Sequence, residues 1–227
     1  MTRAARWGIG VSVLALLGVA CAVLLARAEA PLPPGFSSIR TNPAFQDPAL
    51  LSFALALPVA STFPRPLLSQ TNPSSCGPTS VANVLRSEGE GATPDAVAAH
   101  GSGCLGGFCL GGLTLSQLAE ATRATSPEWK VKELHPETLE GFREELRHAN
   151  EPQRRLIINF HRRPLFGSGG GHHSPIGGYL EAEDLVLVLD VNERFGPWLA
   201  PSARLFEAMD TVDSSSGQKR GLLVLTR

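Results

Sequence analysis

Ser75-Cys76-Gly77-Pro78-Thr79-Ser80-Val81-Ala82-Asn83-Val84-Leu85 decides how this chain is organised. Val81, Val84 and Leu85 fall on one helical face, and Pro78 suits a first turn, where its missing N–H leaves nothing unsatisfied. The pattern predicts a helix from Gly77 to about Ser87 with Cys76 at its opening. A helix start offers partial positive charge and free N–H groups, both of which favour a thiolate over a thiol. Most free cysteines are merely small buried hydrophobes. Cys76 therefore becomes a nucleophile only if a base and a group that orients the base stand near it.

Both are found downstream. His172 and His173 follow the flexible run Gly167-Ser168-Gly169-Gly170-Gly171 and enter a strand-like segment, Ser174 to Tyr179, while Asp190 ends the next one. A hairpin with a tight turn near Glu181 would set His172 across from Asp190 on one face. Side chains alternate along a strand, so only one of the two histidines can face the aspartate; this register favours His172, and a slip by one residue would choose His173. Asp190 would then fix the imidazole tautomer and stabilise the imidazolium. Gln70, in the loop leading to Cys76, is placed to donate to an oxyanion beside the backbone N–H of Cys76.

Around these residues, helices are predicted at Ala49 to Ala60, at Pro94 to His100 behind Thr93, at Leu115 to Arg123 behind a Thr114/Gln117 capping box, at Leu139 to His148 and near Arg204 to Met209. Strands are predicted at Leu156 to Phe160, Ser174 to Tyr179, Leu185 to Val191 and Leu222 to Thr226, and Phe63 to Ser75 as loop or edge strand. Helices come first and strands second, which argues for an α+β domain in two lobes. The chain has 227 residues, 43% of them hydrophobic and 18% charged, with a net charge of -1. Lys and Arg are scattered, without the basic stripe that nucleic-acid binding uses.

The N-terminus stands apart. Arg3 and Arg6 precede an uncharged run from Trp7 to Ala26, with small residues at Ala26, Ala28 and Ala30. Residues 1–30 read as a signal peptide or a membrane anchor, with residues 7–26 long enough to act as a tether. Gly18 sits where a lipoprotein signal wants a bulky aliphatic, which argues against lipidation at Cys21. The basic start predicts an exported domain, periplasmic or held at the inner membrane facing the periplasm. Residues 31–47, with Pro31, Pro33, Pro34 and Gly35, read as a linker or an arm over the surface, and the catalytic domain as 48–227. Cys104 and Cys109, five apart in a glycine-rich loop, can be a disulfide or two thiols, and supply no closed metal site.

Gln70…Cys76-Gly77-Pro78-Thr79-Ser80, Gly112-Leu113-Thr114-Leu115 and above all Gly171-His172-His173-Ser174-Pro175-Ile176-Gly177-Gly178-Tyr179 resemble the phytochelatin synthases. Leu189-Asp190-Val191, Trp198, Leu205-Phe206-Glu207-Ala208-Met209-Asp210 and Gly217-Gln218-Lys219-Arg220-Gly221 continue the likeness. The resemblance implies a papain-like cysteine-protease fold and a triad of Cys76, His172 and Asp190, assisted by Gln70. It implies glutathione as acyl donor: the thiolate attacks the Cys–Gly carbonyl, glycine leaves, and a γ-glutamylcysteinyl thioester passes to a second glutathione or to water. No cofactor is required for that chemistry, and a heavy-metal ion, Cd or Zn, enters as activator or as a metal–glutathione substrate. The γ-glutamyl carboxylate calls for a cation; Arg220 is the first choice over Arg162 and Arg194, with Asn159, Tyr179 and Gly171 lining the same pocket.

Asn192, Glu193 and Arg194 replace a segment that is basic and aromatic in the plant enzymes and helps to hold their acceptor glutathione, so hydrolysis is expected to compete with transfer. The oligomeric state stays open, a homodimer being one expectation. Two alternatives remain: an exported papain-like peptidase, and a thiol protein that binds heavy metal through Cys76, Cys104 and Cys109 without catalysis.

Overall fold

The computed structural model describes residues 31–227, so the predicted signal or anchor at 1–30 lies outside the described residues. Among the described residues no helix is long and apolar enough to cross a membrane. Residues 37–227 form one compact unit.

The helices are α1 (Pro48–Leu55), α2 (Cys76–Arg86), α3 (Pro94–Ala98), α4 (Leu115–Thr125), α5 (Leu139–Arg147), α6 (Arg163–Phe166) and α7 (Ser202–Met209). Their starts follow local chemistry: Asp47, Thr93, Thr114 and Thr138 each accept a hydrogen bond from a first-turn N–H, and Thr114 with Gln117 closes a capping box. The strands are β1 (Cys104–Leu105), β2 (Phe108–Cys109), β3 (Lys130–Leu134), β4 (Arg154–His161), β5 (Gly171–Leu180), β6 (Leu185–Leu189), β7 (Pro197–Pro201) and β8 (Leu222–Thr226). The first two make a small hairpin; the others form an antiparallel sheet in the order β3-β8-β4-β5-β6-β7.

Strand alternation sorts the core into two layers. Leu185, Leu187 and Leu189 of β6 face the cluster built by Val81, Val84 and Leu85 of α2 and Leu118 of α4. Val186 and Val188 face the other way, onto Phe142 and Leu146 of α5 and Leu205 and Met209 of α7. Ile39 and Phe45 belong to this second layer, so residues read as a linker contribute to the core. Their apolar side chains stand among too many polar and proline residues to show a periodicity.

Strands β3 and β7 were not foreseen. They are the two edges of the sheet, where burial is least and the pattern weakest: β3 is Lys-Val-Lys-Glu-Leu and β7 is bounded by Pro197 and Pro201.

The hairpin of β5 and β6 corrects the expected register. Its turn spans residues 181–184 between the paired Leu180 and Leu185, with Asp184 at φ 53°. Tyr179 pairs with Val186 and Gly178 with Leu187, but Ile176 pairs with Val188, because a β-bulge inserts Gly177. Continued without the bulge, the pairing would set Asp190 opposite Pro175, its side chain on the face away from His172. With the bulge, Asp190 extends to a position opposite Ser174, two residues from His172 and on its face. The position demands glycine: an added Cβ would lie 2.8 Å from Leu187 Cδ2 and 3.0 Å from Leu189 Cγ. Gly177→Ala is expected to lower stability by about 1–3 kcal/mol through overpacking, read as a drop in melting temperature together with slower chemistry at Cys76.

Candidate active site

The start of α2, the start of β5 and the end of β6 converge. Cys76 is 6% exposed, and the Ser80 hydroxyl, one turn on, lies 2.8 Å from Cys76 O and 3.0 Å from His173 O, fastening helix to strand. His172 Nε2 stands 3.0 Å from Asp190 Oδ1, and the same imidazole is electrostatically coupled to the Cys76 thiol. Phe160 meets the imidazole edge-on at 5.5 Å and Trp198 backs Phe160, so the ring is walled on its apolar side.

Burial alone would push the Cys76 thiol up, yet hydrogen bonds and charge from His172 and His173 hold it well below its ordinary value. Burial opposes the charged imidazole too, but the bonds with Asp190 and Cys76 raise His172 above its ordinary value. The two shifts favour a thiolate–imidazolium pair. Asp190 is likewise buried, and His172, Arg162 and Trp198 bring its carboxyl down to about 2. Its oxygens accept from Arg162 Nη2 (2.8 Å to each), His172 Nε2, the Asn192 backbone N–H (2.9 Å) and Trp198 Nε1 (2.9 Å).

His173 is the residue the sequence reading undervalued. It faces away from Asp190, as alternation requires, but its Nδ1 lies 3.9 Å from Cys76 Sγ. The helix start overhangs the strand, so the thiol comes within reach of this second imidazole. Two consecutive histidines against a helix-opening cysteine were the available signal.

Gln70 is tied into the site through its backbone, whose N–H donates to Val191 O at 2.8 Å. Its side-chain amide donates to Asn72 O at 3.0 Å, and its Oε1 is buried without a partner.

Beside Cys76 a cavity of about 120 Å³ is lined by Cys76, His173, Gly111, Gly171, Asp213 and Arg220. The Arg220 guanidinium donates to Asn159 Oδ1 (2.8 Å) and Asp213 Oδ2 (3.0 Å). It lies over Gly171, where an added Cβ would come within 2.5 Å of Nη1. Arg220, Asn159 and Gly171 are thus brought together. Tyr179 is not: its hydroxyl donates to Asp184 at the far end of the hairpin. Arg162 is not free for a substrate carboxylate, being buried against Asp190, and Arg194 is exposed on the loop after β6. A second cavity, about 290 Å³, lies on the other flank of Asp190, between Phe63, Arg65 and Leu67 on one side and Glu193 and Pro197 on the other.

Cys104 and Cys109 are joined by a disulfide. The loop they close is pinned to the segment that delivers Cys76: Asn72 Nδ2 donates to Gly107 O (3.1 Å) and the Cys109 N–H to Ser74 Oγ (3.0 Å).

A solved structure of a C39-like peptidase from Bacillus anthracis superposes with a TM-score of 0.51 at 13% identity, covering 71% of this chain and 94% of that one, a likeness of fold. With a cysteine-bearing helix against an antiparallel sheet that carries the histidine and aspartate, the fold is the papain-like one. In sequence, the chain is 32% identical over 117 residues to glutathione gamma-glutamylcysteinyltransferase 3 of Lotus japonicus, covering 51% of this chain and 24% of that protein. It is 41% identical over 73 residues to glutathione gamma-glutamylcysteinyltransferase 2 of Arabidopsis thaliana, covering 32% and 16%. The match therefore spans about a quarter or less of those relatives' length. The phytochelatin synthase family model matches residues 109–222, which hold His172, Asp190 and Arg220, and the fold brings Cys76 to them. This chain belongs to the phytochelatin synthase family.

Proposed function

We propose that this protein is a glutathione γ-glutamylcysteinyltransferase that removes glycine from glutathione. What carries the reading is the Cys76 thiol, held low by His172 and His173 with His172 itself held by Asp190, beside a cavity whose cation, Arg220, suits a γ-glutamyl carboxylate. The names of the plant relatives support the substrate.

The Cys76 thiolate adds to the carbonyl carbon of the Cys–Gly peptide bond. The oxyanion is met by the Cys76 backbone N–H, which has no intrahelical partner, with Gln70 as second donor. The C–N bond breaks as the glycine nitrogen takes the proton of the His172 imidazolium, leaving a thioester on Cys76. His172, now neutral, accepts a proton from water or from the amino group of a second glutathione as that nucleophile attacks the thioester, and the thiolate is released.

Among the described residues no group of three or more His, Cys, Asp and Glu is placed to hold a metal ion. No step of the proposal runs through a resident metal; Cd or Zn enters as activator or as part of the substrate, a thiolate complex of glutathione. Export through residues 1–30, with a tether at 7–26, is part of the same proposal and suits the Cys104–Cys109 disulfide.

The test is to incubate the protein with glutathione, with and without cadmium, and to measure glycine, γ-glutamylcysteine and longer oligomers. Absence of glycine release would overturn the reading. Arg220→Gln is expected to lower kcat/KM for glutathione about 100-fold, through a charge-assisted pair of roughly 2–3 kcal/mol, read as glycine release against glutathione concentration.

A further inference from the structure

Arg162 is the one permanently charged group that touches Asp190, and its position is more constrained than that of an ordinary ion pair. It follows β4 directly, and its backbone N–H donates to Gly170 O at 2.9 Å, which ties it to the loop that leads into His172. A Cβ on Gly169 would come within 3.0 Å of Arg162 Cβ. The guanidinium sits over Phe195, its Cζ 3.9 Å from the ring centroid. From there one nitrogen, Nη2, sits 2.8 Å from both oxygens of Asp190. The carboxylate cannot rotate without losing one of these bonds, and in that rotation Oδ1 meets His172 Nε2. His172 Nε2 is thereby the donor, and its other nitrogen is left for Cys76.

We propose that Arg162 is the positioning residue of this site: it fixes the Asp190 carboxylate that orients His172, and its charge sets the pH at which the Cys76–His172 pair forms. The proposal rests on the triad reading above and deepens it. A buried carboxylate left alone with an imidazole and a thiol raises the proton affinity of both, and a guanidinium on the same carboxylate offsets that charge. The other charged groups that face the pair do not duplicate it. Arg40 is engaged by the Phe195 and Phe166 rings. On the thiol side stand His173 and Arg220, the latter already paired with Asp213. Arg65 and Glu193 line the flanking cavity with opposite charges.

Removing the positive charge must raise the proton affinity of every nearby group, so the sign of the effect is fixed. In the full-length protein, the rate of Cys76 alkylation by iodoacetamide against pH gives the acid limb of the pair directly. Arg162→Gln is expected to move that limb to higher pH by about one unit. Arg162→Lys keeps the charge but has no guanidinium to be held against Phe195, so its nitrogen is not fixed between the two oxygens; its limb is expected to stay with wild type while glycine release falls about tenfold. An unmoved limb in Arg162→Gln overturns the proposal, and so does a limb in Arg162→Lys displaced as far as in the glutamine variant. If Arg162→Gln does not fold, Arg162→Lys alone decides: a limb shifted by a unit refutes, an unmoved limb with slowed release supports. Alkylation needs no glutathione, so failure of the substrate assignment would appear as a normal profile without glycine release, and is separable from failure here.

Discussion

Replacing Cys76 with alanine is expected to reduce glycine release from glutathione to background, a loss of about 10⁴-fold or more, because no other group in the site can form the acyl intermediate. Among the described residues Cys76 is the one free cysteine. The melting temperature should change little, since the thiol's neighbours are two imidazoles and not a packed apolar shell. The wild-type pH profile is the companion observation. The thiol is held below its ordinary value and His172 above its own, so the charged pair exists between those two values. Activity should fall on the acid side as the thiolate is protonated. It should fall on the alkaline side as His172 loses the proton that the departing amine requires. A profile that simply rises through the range of an ordinary cysteine would contradict the pair.

Asp190→Ala has the second largest effect, and it falls on stability as well as chemistry. Asp190 is the partner of Arg162, His172 and Trp198 at once, and its side chain is shielded from solvent. Removing it leaves a buried guanidinium without its anion, a change that typically destabilises by about 3–5 kcal/mol. For a domain of this size, the melting temperature should drop on the order of 10 °C. Asp190→Asn keeps the shape and part of the bonding, and should melt between the two. Glycine release should fall about 10³-fold or more in both variants, since neither holds the imidazolium. The acid dependence of stability follows the same group. Its folded value of about 2 lies below the ordinary 3.8. The stabilisation from Asp190 is therefore complete above pH 3.8 and is lost as the pH falls through about 2.

The helix that carries Cys76 was legible because three things coincide there: an apolar face, a first-turn proline and a cysteine at the opening. His172 and Asp190 were legible as a pair, but for an incomplete reason. A tight turn and an unbroken ladder would have sufficed, whereas the molecule uses a four-residue turn and a bulge at Gly177 that restores the shared face. A bulge leaves little trace in one sequence beyond a glycine in an apolar strand, and this strand has two side by side, Gly177 and Gly178. From sequence Arg162 is only a second choice for the substrate carboxylate, since nothing local says that the residue after β4 will turn inward; the pairing of β4 with β5, and of β5 with β6, brings it to Asp190. Tyr179 was misplaced for the complementary reason: it lies in the same matched segment as His172, but at the opposite end of a long strand. Arg220 and Asn159 come together because β8 runs beside β4, a long-range pairing that local patterns do not encode.

The bridge between Cys104 and Cys109 does more than brace the loop beside Cys76, because it also removes both remaining thiols of the described chain from circulation. A sulfenic acid formed on Cys76 by peroxide has no resolving cysteine within the domain to capture it. Repair must then come from a thiol small enough to enter the cleft, and glutathione is such a thiol: the proposed substrate would double as the reductant that keeps its own enzyme alive.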